Sequence, residues 1–294
     1  MEHRLWKAIV AVVAGLDTPP TPARFDFSDA DIVGVYYWSV VCDRPRAWAC
    51  DKRHWPLPLR KRRLPTPSTL SRRLRSARVV ALLAAVERRV TAPAGPGLFW
   101  MLDGKPLPVG GCSKDRQAGY GRAAGGMARG YKLHALVGGD GSIAGWRLAP
   151  MNTDERGMAE RLLRAAPPAV CGYVLADSNY DSNRLHRVCD ARGELQLLTR
   201  RRYGPGNGTG HRRQAPGRVR SMARVENPFP AFADGLLAAR AEVERRFGHL
   251  TNWGGGLSGL PAWVRGHRRV RLWVQAKLAL TALKRQRPER TYVD

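Results

Sequence analysis

The chain has 294 residues and is 44% hydrophobic, enough to build a sizeable core in one large or two smaller domains. Its 50 Lys and Arg against 24 Asp and Glu leave a formal net charge of +26, an excess that calls for a polyanionic partner, with nucleic acid the default. No stretch is long and apolar enough to span a bilayer, and five scattered cysteines argue against a disulfide framework.

The segment AIVAVVAGL (8–16) follows His3, Arg4 and Lys7 and faintly suggests a signal peptide. DTPPTPARF follows it in place of a small-residue cleavage site, so an N-terminal helix is the expectation. Residues 1–92 read as mostly helical. SDADIVGVYYWSVVC (28–42) opens on a cap-like Ser28 with acids in its first turn and continues as an apolar body. Cys42, Cys50 and His54 lack zinc-finger spacing and read as ordinary thiols. Between 52 and 86 there are ten Lys and Arg and no acid. Within that stretch, TPSTLSRRLRS (66–76) spaces Leu70 and Leu74 four apart, with Arg72, Arg73 and Arg75 off that line. ARVVALLAAVERRV (77–90) is a further amphipathic helix. The pair suggests either a helix-turn-helix or a solvated basic face on a small bundle.

TAPAGPG (91–97) reads as a linker. After it come short apolar runs of strand length at 98–103, 131–137, 142–148, 173–177 and 195–198. Helical stretches are expected at about 153–165 and 180–192. Strands close together, then alternation with helices, predict a mixed α/β sheet. The glycine-rich stretch 104–130 reads as a mobile loop. Residues 200–224 carry eight arginines and no acid, and are too rich in Gly and Pro to read as a core element. They read as a surface insertion, 200–226, that tracks a phosphate backbone. Helices at about 235–250 and 262–286 close the chain.

In so basic a chain the placement of each acid is informative. Two strand-like runs end in Asp, LFWMLD at Asp103 and YVLAD at Asp177. One such Asp is often a turn or cap residue. Two together suit a protein that cleaves phosphodiesters, because carboxylates can hold Mg²⁺ beside the phosphate. In LLAARAEVERRFGHLTNW, Glu242 and Glu244 fall on opposite sides of the apolar stripe, and Glu244 follows Arg240 by one turn. Helix geometry alone leaves that pair as an ordinary surface ion pair. Asp181, after Tyr180, reads as a structural acid at the start of the next helix.

Several motifs in order resemble the DDE transposases of bacterial insertion sequences, of the family four and family five kind. They are MLDGKPL, then GYKLHALVGGDGSIAGWRLAPMNTDERGMAERLL, then VLADSNYDSNRLHRVCDARG with its Asp-x-x-Tyr-Asp, then RAEVERRF. Around the expected Glu the family pattern is Tyr-x2-Arg-x3-Glu-x6-Lys. Arg240 and Glu244 fit it, whereas Leu237 and Thr251 stand where Tyr and Lys are expected.

The resemblance implies an α/β, RNase H-like mixed sheet flanked by helices over 97–286, preceded by an all-α DNA-binding region over 1–92. It implies that Asp103, Asp177 and Glu244 hold two Mg²⁺ ions, with Mn²⁺ able to substitute. The reaction implied is cleavage at terminal inverted repeats of double-stranded DNA and joining of the 3′-OH ends to target DNA. It further implies a homodimer in the DNA complex and a bacterial cytoplasmic, nucleoid-associated protein. Arg60, Lys61, Arg62, Arg63, Arg72, Arg73, Arg75, Arg212 and Arg213 are candidate phosphate contacts. Lys132 and Arg240 are candidate DNA or supporting contacts, and His134 is either such a contact or a packing histidine. The competing readings are a DNA-binding protein that no longer catalyses, a stand-alone nuclease of the same fold, and a basic RNA-binding protein.

Overall fold

The computed structural model describes residues 1–92, 98–110, 113–166, 172–193, 195–202, 213–226, 231, 234–239, 256–257 and 259–286. In chain order its elements are α1 (Glu2–Ala14), α2 (Asp29–Val41), α3 (Arg46–Ala49), α4 (Pro67–Arg73), α5 (Ala77–Thr91), β1 (Phe99–Pro108), β2 (Gly119–Ala123), β3 (Gly126–Gly138), β4 (Ile143–Pro150), α6 (Glu155–Ala165), β5 (Tyr173–Leu175), α7 (Asn183–Arg192), β6 (Gln196–Leu198), α8 (Pro216–Val225) and α9 (His267–Gln286). The chain folds as two compact units, Met1–Thr91 with Leu250–Asp294, and Ala92–His249. This grouping places α9 with the N-terminal helices.

The helical unit is organised around α2. A capping box starts it: Ser28 Oγ accepts from the Asp31 amide at 3.0 Å, and the Ser28 amide donates back to Asp31 Oδ2 at 3.1 Å. The helix is apolar on every side, so it is buried all round, with Ile32, Val33, Tyr37 and Val40 fully enclosed. Its carbonyl end meets α9. There Lys277, 1% exposed, donates to the Val40 carbonyl at 3.0 Å and to Asp43 Oδ1 at 2.6 Å. A cation is favourable at that end of a helix.

α4 begins on Thr66, which caps the Thr69 amide at 3.2 Å, and on Pro67. Leu74–Ser76 connect it to α5. Arg72 and Arg75 are exposed, but Arg73 is 5% exposed. Its guanidinium donates to Asp29 Oδ1 at 2.7 Å and to the Phe27 carbonyl at 2.9 Å, and lies 4.0 Å from the Phe25 ring centre. Arg73 follows Leu70 by three residues, so it shares the inward face of the helix. Arg78 holds the second Asp29 oxygen at 2.8 Å. Burial would raise the Asp29 pKa, but the two guanidiniums outweigh it and hold the carboxyl below its ordinary range. We expect Asp29→Ala, which leaves Arg73 buried without its anion, to lower stability by about 3–5 kcal/mol in urea unfolding of the full chain.

The second unit is a six-stranded mixed sheet. Strand order is β2-β3-β1-β5-β6, with β4 also paired to β3. β1, β5 and β6 are parallel, and β3 runs antiparallel to β1, β2 and β4. One face is covered by helices. Trp100 and Leu102 of β1, Leu136 of β3, and Val174 and Ala176 at β5 form one core with Leu162 and Leu163 of α6 and Leu185 and Val188 of α7. This is the mixed sheet flanked by helices, with a separate N-terminal helical region, that the resemblance implied.

Two stretches differ from the sequence reading. Residues 104–130 are not one mobile loop: they hold the end of β1, all of β2 and the start of β3. Glycine is depleted in strands, which hid β2, yet here the glycines are steric necessities. A Cβ on Gly121 would stand 2.6 Å from the Met151 carbonyl oxygen, and one on Gly119 2.0 Å from Asn152 Oδ1. Nor is the arginine-rich stretch only surface, since α8 forms within it and Arg218 is 5% exposed. No helix among the described residues is long and apolar enough to cross a membrane.

Candidate active site

β1 and β5 run parallel in the register Phe99↔Tyr173, Trp100↔Val174 and Met101↔Leu175. Asp103 and Asp177 each follow the last of these pairs by two residues, so they stand at corresponding positions just past a paired stretch whose chains lie about 4.8 Å apart. Side chains alternate along extended backbone. Trp100, Leu102, Val174 and Ala176 face α6 and α7, which turns Met101, Asp103, Leu175 and Asp177 to the opposite face. Both carboxylates are half-buried.

The two acids are held differently. β1 does not end at Asp103 but continues to Pro108, paired to β3, with Asp103 opposite Ala135. Asp103 Oδ1 accepts from the Gly104 amide at 2.7 Å. Asp177 lies past the end of β5 and caps a 3-10 turn, Ser178–Tyr180, its Oδ1 accepting from the Asn179 amide at 2.8 Å. It is therefore a turn residue as well as an acid beside Asp103. Tyr180 is 1% exposed and packs in the core as expected.

Asp181 is structural, though not as a helix cap. Ser182 caps α7. Asp181 is 7% exposed and accepts both arms of the Arg218 fork, from Nε at 2.7 Å and Nη2 at 2.7 Å, with the Arg202 amide at 3.2 Å. Burial would raise its pKa. The Arg218 fork, His186 and the Arg202 amide outweigh that and hold it far below the ordinary carboxylate range. The same pair fixes α8, so the Arg218 charge is neutralised internally. Arg201 pairs with Glu226 and Arg220 with Asp190, which removes more of the positive charge that the sequence assigned to a phosphate-tracking loop.

Lys132 and His134 lie on the other face from Asp103. They flank Gly104, where a Cβ would stand 3.0 Å from Lys132 Cδ and 3.5 Å from His134 Nδ1. Lys132 is 8% exposed and ion-paired to Glu155 at the start of α6. His134 is 1% exposed, and neither ring nitrogen has a hydrogen-bond partner among the described residues. Burial pushes its pKa down to about 4, against a smaller upward pull from Glu155. A neutral imidazole in that setting is a packing residue.

Of the other candidate residues, Lys61 and Arg63 are exposed on the helical unit, as is Arg60, which donates to the Trp55 carbonyl at 3.0 Å. Arg62 is half-buried, paired to Asp31 at 3.3 Å and 5.4 Å over the Trp6 ring. Arg213 is exposed just ahead of α8. Glu244, Glu242, Arg240 and Arg212 lie outside the described residues. Among the described residues no three His, Cys, Asp or Glu side chains converge as a metal-binding cluster. Asp103 and Asp177 fit a hard divalent cation on their own chemistry: two carboxylates on one face at adjacent positions repel, and Mg²⁺ takes oxygen ligands of this kind.

The sequence reading missed the β2–β3 ribbon. Tyr120 pairs with Arg129 and Arg122 with Met127. Alternation puts all four on the face away from Gly119 and Gly121, and Tyr120 and Met127 are 64% and 71% exposed. The available signal was the Gly-Tyr-Gly-Arg alternation, in a stretch with no acid between Asp115 and Asp140.

A mixed sheet with three parallel strands, flanked by helices and preceded by a helical region, is the architecture of an RNase H-like domain. The model of the family described as transposase DDE domain matches residues 97–279, and the chain belongs to that family. A comparison with curated proteins finds no match.

Proposed function

We propose that this chain is an insertion-sequence transposase that cleaves at the terminal inverted repeats of its element and joins the freed 3′-OH ends to target DNA. The observation that carries the reading is the shared register and face of Asp103 and Asp177, within a chain of the transposase DDE family. Glu244 would complete the acid set. These three carboxylates would hold Mg²⁺, which when bound offsets phosphate charge and lowers the pKa of the attacking hydroxyl. The residues of the chain then orient the group. The Gly104 amide and the Asn179 amide each fix one carboxylate oxygen, so both acids stand preset before DNA arrives. The subgroup, the dimer and the nucleoid location belong to the same proposal.

The test is a labelled duplex carrying the inverted repeats that flank the coding sequence, incubated with Mg²⁺ or Mn²⁺. Cleavage followed by strand joining is expected. Cleavage without joining would assign a stand-alone nuclease, and binding without cleavage a protein that no longer catalyses.

The ribbon gives this reading a DNA-tracking surface. From Ala135, opposite Asp103, to Met127 is eight residues, or at most about 27 Å along β3. That spans about eight base pairs of duplex. Arg122→Ala with Arg129→Ala is expected to reduce the slope of log affinity against log salt by about 1.8, since each neutralised phosphate adds about 0.9 to that slope. Fluorescence anisotropy across a NaCl series would read it.

A further inference from the structure

In the helical unit a crevice is lined by Tyr36, Arg44, Arg46, Trp263, Arg269 and Trp273, among others. Three arginines meet in it, two of them close neighbours in sequence and the third far from both. Arg44 comes from the α2–α3 connection, Arg46 opens α3, and Arg269 lies in the first turn of α9. A fourth, Arg75, stands in the α4–α5 turn, whose carbonyl accepts from Arg268 at 3.0 Å. Among the described residues none of Arg44, Arg46, Arg75 or Arg269 is paired with a carboxylate, and the acid next in sequence, Asp43, is bound to Lys277.

This arrangement breaks two local rules at once. Arg46 is half-buried without a counter-ion. Burial, and the like charges of Arg269 and Arg75, pull its pKa below the ordinary arginine value. The first turn of α9 carries Arg268 and Arg269 and no acid, although the positive end of a helix disfavours cations. Such conflicts in a natural chain mark functional sites. One kind of ligand resolves both, an anion seated among the guanidiniums, and planar guanidiniums match phosphate oxygens well. Trp263, 38% exposed at the rim, offers an indole face to a sugar or base beside that phosphate.

We infer that this crevice is a phosphate-binding site of the helical unit, built by Arg44, Arg46 and Arg269 with Arg75 beside them, and that it takes a backbone phosphate of DNA. The inference rests on the proposed transposase reading for the DNA and on the crevice for the place. Because the crowded guanidiniums repel one another until an anion arrives, removing one should weaken binding and not weaken the fold.

The experiment uses the full chain, a fluorescein-labelled 30-base-pair duplex of arbitrary sequence, and thermal melting without DNA. Arg46→Gln and Arg269→Gln are each expected to lower duplex affinity about tenfold and the salt slope by about 0.9. Arg46→Gln should keep or raise the melting temperature, by up to about 2 °C. Arg46→Lys should restore the slope, since charge returns. A lower melting temperature in Arg46→Gln assigns the arginine a structural role and overturns the inference. Variants that bind with wild-type affinity and slope overturn it too. If inorganic pyrophosphate then raises the wild-type melting temperature, the phosphate is a free one. A wild-type chain that binds no duplex removes the transposase reading first, and this inference with it.

Discussion

Asp103→Asn and Asp177→Asn are each expected to reduce Mg²⁺-dependent strand cleavage by at least about a thousandfold, or about 4 kcal/mol, while duplex affinity stays within about twofold. The reason is the register of β1 and β5, which delivers two acids to one face where the parallel pair ends. Asparagine keeps the size and the accepting oxygen but loses the charge that holds a divalent cation. Each variant keeps its local hydrogen bond, Asp103 Oδ1 to the Gly104 amide and Asp177 Oδ1 to the Asn179 amide, through that remaining oxygen. The fold is therefore preserved while the chemistry is lost. Single-turnover cleavage of the inverted-repeat duplex measures the loss, and anisotropy measures the binding. A variant of either acid that cleaves at the wild-type rate removes that acid from the site. Glu244→Gln should match them, whereas Glu242→Gln should stay active; the reverse pattern moves the third ligand.

The second large effect is on stability. Arg218→Ala is expected to cost about 3–5 kcal/mol, because it strands Asp181 in the interior without its cation. Asp181 and Arg218 are 7% and 5% exposed and joined by two hydrogen bonds of 2.7 Å. The pair also predicts a pH dependence. The folded pKa of Asp181 is depressed, so the unfolded chain binds its proton more readily. The stabilisation is complete above the unfolded value, about pH 4, and is lost progressively as pH falls further toward the folded one. Urea unfolding of wild type at pH 7 and at pH 3 should therefore differ by more than in Arg218→Ala. Equal pH sensitivity in the two proteins would show that Asp181 does not carry the effect.

Several features were legible without the structure because their causes are local. The cap at Ser28, the apolar run of α2, the five strand-length runs and the acids after two of them are all written in short windows. Ordered motifs carried the family resemblance, and with it the sheet. What was not legible depends on partners distant in sequence. Arg73 read as a surface cation until Asp29 and Phe27 were placed beside it. Lys132 read as a DNA or supporting contact, and the fold turns it to α6, where it pairs with Glu155. The glycines of 104–130 read as flexibility, yet they let the ribbon lie flat on residues 151–152. In each case the residue type was ambiguous, and the neighbour decided.

By itself the sequence determined that this chain is a basic α/β protein of the transposase DDE kind, with Asp103 and Asp177 each closing an apolar strand-length run, since residue order and charge suffice for that. Only the tertiary structure decided which cations are neutralised inside the fold and which remain for a phosphate. Arg73, Arg218 and Lys277 are matched by acids brought to them from 44, 37 and 234 residues away. Arg44, Arg46, Arg75 and Arg269 meet with no such acid among the described residues. An arginine costs little in water and much when buried alone, so its meaning lies in whether folding supplies its anion or leaves that to a ligand.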